Sequence, residues 1–168
     1  MRPSSKFIVQ AALFLALAIV LPVAFHQLGL GRVFLPMHIP VLLAGFVGGA
    51  ACGVMVGLSA PVLSFFMIGM PPAYAVLLMA LELSLYGLAA GIFHFRLRLN
   101  IYLALLISLI VGRLGFALGL LLLGSFIQLP YGVKFFFTVA VVSGLPGILI
   151  QIALIPPIVA AINRRRKV

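Results

Sequence analysis

Residues 7–25, FIVQAALFLALAIVLPVAF, carry no charged side chain. A helix needs about 20 such residues to cross about 30 Å of hydrocarbon, and apolar runs of this kind recur along the whole chain. No other feature narrows the possible folds as much. The surface of a soluble domain would need roughly a quarter of its residues charged. Of these 168 residues 65% are hydrophobic and only 7% charged. Period-two alternation is absent, which disfavours a transmembrane β-barrel. The expected fold is an all-α integral membrane protein.

The apolar runs predict a six-transmembrane-helix bundle, with helices at about 6–25, 36–47, 54–67, 73–93, 101–123 and 133–162. Together they form a single membrane domain over residues 1–168. MRPSSK at the head is similar to the n-region of a signal peptide. The apolar run behind it is too long for a typical h-region and is followed by no small-residue cleavage site, so the first span is expected to stay uncleaved. Residues 48–53, GGAACG, predict a tight inner turn, Pro61 an interruption of the third helix, and SGLPG at 143–147 a break in the sixth. The net charge of +10 is explained by position. Arg2 and Lys6 open the chain, Arg96 and Arg98 share one short loop, and Arg164, Arg165, Arg166 and Lys167 close it. That distribution puts the N- and C-termini and the Arg96 loop on the cytoplasmic side and points to anionic lipid as their partner, not nucleic acid. The single cysteine, Cys52, predicts no disulfide framework and reads as a small buried packing residue.

Polarity concentrates on the opposite side. The outer loops and adjoining helix ends carry His26, Gln27, Arg32, His38, Gln128, Tyr131 and Lys134, with Met37, Met67 and Met70 beside them. Irregular backbone at membrane depth is tolerated only under cover of protein or along a cavity. Three outer loops rich in Pro and Gly therefore predict a concavity opening outward, mostly apolar with a few placed polar groups. Within RVFLPMHIPVLLAG (32–45), Pro36 or Pro40 can occupy the first helical turn, where a missing N–H is harmless. Met37 and His38 then fall at the pocket rim. The alternative is that the prolines only start a helix and His38 snorkels to the interface.

Two charges lie deeper. Glu82, the only acidic residue, sits mid-way along the fourth helix and Arg113 mid-way along the fifth. Counted from the loop that joins these helices, both are roughly 18–20 Å deep at 1.5 Å per residue. A lone charge there costs at least about 2.5–3.5 kcal/mol, much of which pairing offsets. Either Glu82 and Arg113 pair to fix helix register, or one or both reach a ligand; the two readings are compatible.

Several functions are excluded. No G-x-x-x-x-G-K-[ST] loop is present for nucleotide hydrolysis. One carboxylate, with neither H-E-x-x-H nor G-x-S-x-G, gives no support to a protease or hydrolase, so no enzyme is expected. The histidines His26, His38 and His94 do not cluster, so neither a metal nor another cofactor is expected. A protein that binds a small molecule outside and has no engine of its own needs one supplied by a partner.

Ala12 and Ala16 in AALFLALA form a small-xxx-small face that lets another helix approach closely. Taken with FLPMHIPVLLAGFVGG, GMPP, ELSLYGLAAG (82–91), GRLGFALG (112–119) and SGLPGILIQIALIPP (143–157), the chain resembles the substrate-binding S components of energy-coupling factor (ECF) vitamin transporters. It departs from the pattern at GGAACG, where a Gly-Pro turn is expected. The resemblance implies a six-helix bundle in a bacterial or archaeal plasma membrane, multi-pass. A vitamin-like substrate would bind near the outer face under the loops joining helices 1–2, 3–4 and 5–6. Ala12 and Ala16 would contact a transmembrane T component, coupled to two cytoplasmic ATPases, and transport would proceed by toppling of the S component. Carried onto this sequence, the ligand-binding candidates are His38, Met37, Glu82, Tyr86, Arg113, Gln128 and Lys134, with His26 and Arg32 beside them. The rival is a self-sufficient small-molecule channel or facilitator, which would need polar residues along its whole length; a purely structural subunit would leave the outer asymmetry unexplained. Arg32, His38, Arg113 and Lys134 favour a neutral or anionic ligand. A Glu82 free of Arg113 would instead favour a cationic heterocycle.

Overall fold

The computed structural model describes residues 4–27, 36–123 and 144–165, and among these every regular element is helical. We number them α1 (Ser5–Gln27), α2 (His38–Gly48), α3 (Ala50–Ile68), α4 (Ala73–Gly91), α5 (Ile101–Leu123) and α6 (Leu145–Arg165), with a π-helical turn, Ile92–Arg96, continuing α4. Five of the six are long and apolar enough to cross a membrane, and α2 is a shorter apolar helix.

α2 is the hub. It packs against α1, α3, α4 and α6, and its residues Val41 to Val47 are all buried. A helix that is apolar all round is stable only when surrounded, which accounts for a segment with almost no polar face. The α3–α4 pair makes the tightest contact in the bundle. Gly53 of α3 meets Gly87 of α4 so closely that a Cβ on Gly53 would fall 2.5 Å from the Gly87 carbonyl oxygen, and one on Gly45 of α2 would fall at the same distance from that oxygen. Small residues bring backbones together in lipid, where no hydrophobic force drives helices to associate.

The expected inner turn across residues 48–53 is in fact a break at Gly49 alone: α2 runs to Gly48 and α3 begins at Ala50. Gly49 has φ 87° and ψ 175°, a region open essentially to glycine only, so one residue suffices to turn the chain. The interruption expected at Pro61 is absent as well, because α3 runs through it to Ile68. Spanning helices accept proline where neighbouring groups re-satisfy the freed carbonyl, and Pro61 is buried between helices. The fourth helix stops at Gly91 as α-helix and widens at its exit into the π turn, where the Leu97 N–H donates to the Ile92 carbonyl at 3.1 Å. Within the stretch where a break is expected, 143–147, α6 begins at Leu145 with Pro146 and Gly147 in its first turn, where a proline's missing N–H leaves nothing unpaired. α6 then continues through Pro156 and Pro157. The segment expected to open the sixth helix, residues 133–143, lies outside the described residues. Cys52 is fully buried in α3.

Candidate functional site

Glu82 and Tyr86 are four residues apart on α4, and so on one face of that helix, one turn from each other. The Tyr86 hydroxyl donates to Glu82 Oε1 at 3.2 Å. α5 brings Arg113 to the same oxygen, with Nη1 at 3.0 Å. His38, the first residue of α2, places Nε2 3.8 Å from Glu82 Oε2, and its ring stands edge-on to Tyr86 with centroids 5.3 Å apart. Three helices thus converge on the only acidic side chain in the sequence. Neighbouring glycines make the convergence possible. Gly112, beside Arg113, leaves room for the Tyr86 ring, which a Cβ would meet at 2.7 Å. Gly87, beside Tyr86, admits α2 and α3 as described above.

Glu82 is 3% exposed, His38 2% and Arg113 21%, and Tyr86 is fully buried. Removing charges from water is expensive unless they are paired and hydrogen-bonded, and Glu82 meets that requirement with two partners on one oxygen. The other groups fall short of it. His38 Nδ1 and Nε2 and Arg113 Nε and Nη2 are buried with no hydrogen-bond partner. A buried donor or acceptor left unpaired costs about 1–3 kcal/mol, and each such group in a native protein calls for an explanation. Four at one point, around a neutralised ion pair, form a polar socket suited to holding a polar group. Among the described residues no set of three or more His, Cys, Asp or Glu side chains is arranged for a metal ion.

Of the remaining candidates, Met37, Ala12 and Ala16 have described side chains. Met37 is buried directly before His38 and joins the apolar core. His38 itself is buried and does not snorkel outward, because α2 is enclosed from its first turn onward. Ala12 and Ala16 are exposed on α1, in line with exposed Val20 and Ala24 at the same four-residue spacing. His26 falls in the last turn of α1; its side chain, together with Arg32, Gln128 and Lys134, lies outside the described residues. Sequence reasoning passed over three buried polar residues, Ser64, Ser108 and Gln151. Ser108 is accounted for locally, its hydroxyl donating to the Ala104 carbonyl at 2.6 Å. Gln151 had a signal in the sequence, as the one amide inside the apolar run GILIQIALI.

The family described as ECF transporter, substrate-specific component matches residues 6–159. The chain belongs to this family. As an ECF substrate-specific component it is the substrate-binding subunit of a transporter, a multi-pass membrane protein and not an enzyme, and its family associates with a T component and ATPases in a lipid bilayer. No curated protein and no solved structure matches it.

Proposed function

We propose that this ECF substrate-specific component captures a vitamin or related micronutrient near the extracellular face and delivers it together with a T component and two cytoplasmic ATPases. The observation that carries the reading is the socket of His38, Glu82, Tyr86 and Arg113, with its four unpartnered nitrogens, while the other described charged side chains are exposed. A bundle that needed only a register pin would be served by Glu82 and Arg113 alone. In this reading Met37 packs beside the ligand, and Gln128, Lys134, His26 and Arg32 contribute from the outer loops, with both termini cytoplasmic. The exposed face of α1 at Ala12 and Ala16 meets the T component, since small side chains let a partner helix come close. The host is a bacterial or archaeal cell.

The test is mass spectrometry of small molecules released from protein purified in mild detergent from cells grown in rich medium. A vitamin or precursor at near-stoichiometric amount is the expected result. An empty protein that also ignores a broad vitamin panel, combined with substrate flux in liposomes without ATPases, would overturn the proposal in favour of a facilitator.

A further inference from the structure

Arg113 uses only part of its guanidinium inside the protein. Nη1 holds Glu82 Oε1 at 3.0 Å, while Nε and Nη2 are buried and unpartnered. Those two nitrogens form the long edge of the guanidinium plane, and their N–H bonds run parallel as a fork suited to two acceptor atoms held side by side. Such an edge commonly receives a carboxylate, but the local charge argues otherwise. Arg113 is already neutralised by Glu82. Among the described residues no other Lys, Arg, Asp or Glu lies away from the helix ends: Lys6, Arg96, Arg164 and Arg165 are terminal to their helices and Arg98 is in a loop. At this edge an added anion would find no further counter-charge from the described helices, which is unfavourable in apolar surroundings at membrane depth; in the capture reading above, Arg32 and Lys134 meet other parts of the ligand. What Arg113 still offers is a pair of donors and not a net charge.

We infer that the captured molecule presents to the Nε/Nη2 edge of Arg113 a planar group with two neighbouring acceptor atoms and no net charge, such as a ring nitrogen beside a carbonyl oxygen. An arginine edge reads the adjacent oxygen and nitrogen acceptors of guanine in the same way. His38, with both ring nitrogens free of hydrogen bonds, completes the recognition by giving or receiving one further hydrogen bond at the other side of the group. The charge pair then acts as a bracket: Glu82 fixes the guanidinium plane, and that plane selects the shape of the ligand. This inference rests on the capture function proposed above and narrows it to a ligand chemistry.

The experiment uses the full chain. The compound released from wild-type protein is identified by mass spectrometry, and its rebinding to stripped wild-type and Arg113→Lys protein is measured by calorimetry, with melting of both empty proteins alongside. Lysine keeps the positive charge opposite Glu82 but loses the fork. The expected result is a compound whose paired acceptors sit in an uncharged group. Its affinity for Arg113→Lys is expected to fall at least about tenfold with little change in melting temperature. Should Arg113→Lys not fold, wild-type protein decides, through an analogue in which one of the paired acceptors is replaced by C–H: weaker binding upholds the inference. Equal binding of that analogue, binding by Arg113→Lys within twofold of wild type, or a compound with no uncharged pair of neighbouring acceptor atoms would each overturn it while leaving capture intact. Protein with no compound and no response to a vitamin panel brings down the capture function itself, and this inference with it.

Discussion

Glu82 carries two kinds of duty, and substitutions at the socket should separate them. Replacing Glu82 by Ala leaves Arg113 buried without its counter-charge, a change that costs about 3–5 kcal/mol when a buried pair is broken from one side. Replacing both partners together by Met removes the charges along with their desolvation. We therefore expect Glu82→Met/Arg113→Met to melt close to wild type in detergent, while Glu82→Ala and Arg113→Ala each melt well below it. If the double variant is as unstable as the singles, the pair is not the origin of the effect. Gly112 gives a second residue-level expectation. A methyl there meets the Tyr86 ring at 2.7 Å, and that ring is enclosed on all sides. Gly112→Ala should destabilise by about 1–3 kcal/mol through overpacking, and should weaken ligand binding more than Ala at the lipid-facing Leu114 of the same helix; melting and binding isotherms read the two effects separately.

At the scale of the helices, two glycines that look alike in the sequence act in different ways. Gly49 has open space around its missing side chain but a positive φ, so Gly49→Ala suffers only backbone strain, about 1–3 kcal/mol. Gly53 has an ordinary helical conformation but sits against the backbone of Gly87. Gly53→Ala must push α3 away from α4, and we expect it to lower the melting temperature more than Gly49→Ala and to disturb the socket built on α4. Such differences explain what could be read from the sequence and what could not. The helices were legible because apolar runs of spanning length permit little else in a membrane. The common depth of Glu82 and Arg113 followed from counting residues at 1.5 Å each. The turn at 48–53 was placed too broadly because a run of glycines does not reveal which one takes the positive φ. The proximity of His38 to Glu82 was also hidden. It depends on α2 closing over α4 through Gly45 and Gly87, a tertiary contact that no local pattern encodes.

For the whole molecule, the buried socket and the exposed α1 face are separate surfaces, so capture and assembly should be separable. Ala12→Leu/Ala16→Leu changes side chains that face outward from α1 and touch neither the core cluster nor the socket. We expect the variant to bind ligand like wild type, but to co-purify with T component and ATPases at least about tenfold less, a loss equivalent to about 1.4 kcal/mol. Unchanged co-purification would remove α1 from the docking surface. The arrangement around α2 also bears on how the protein is made. At 11 residues it extends about 16 Å, about half of the hydrocarbon thickness, and its walls come from helices both earlier and later in the chain. During synthesis α1 is present first, α3 and α4 follow, and α6 is the last wall to arrive. A nascent chain halted before residue 145 therefore holds an incompletely covered α2, and only a full-length product hides it. The bundle's centre is thus closed only once α6 has entered the membrane.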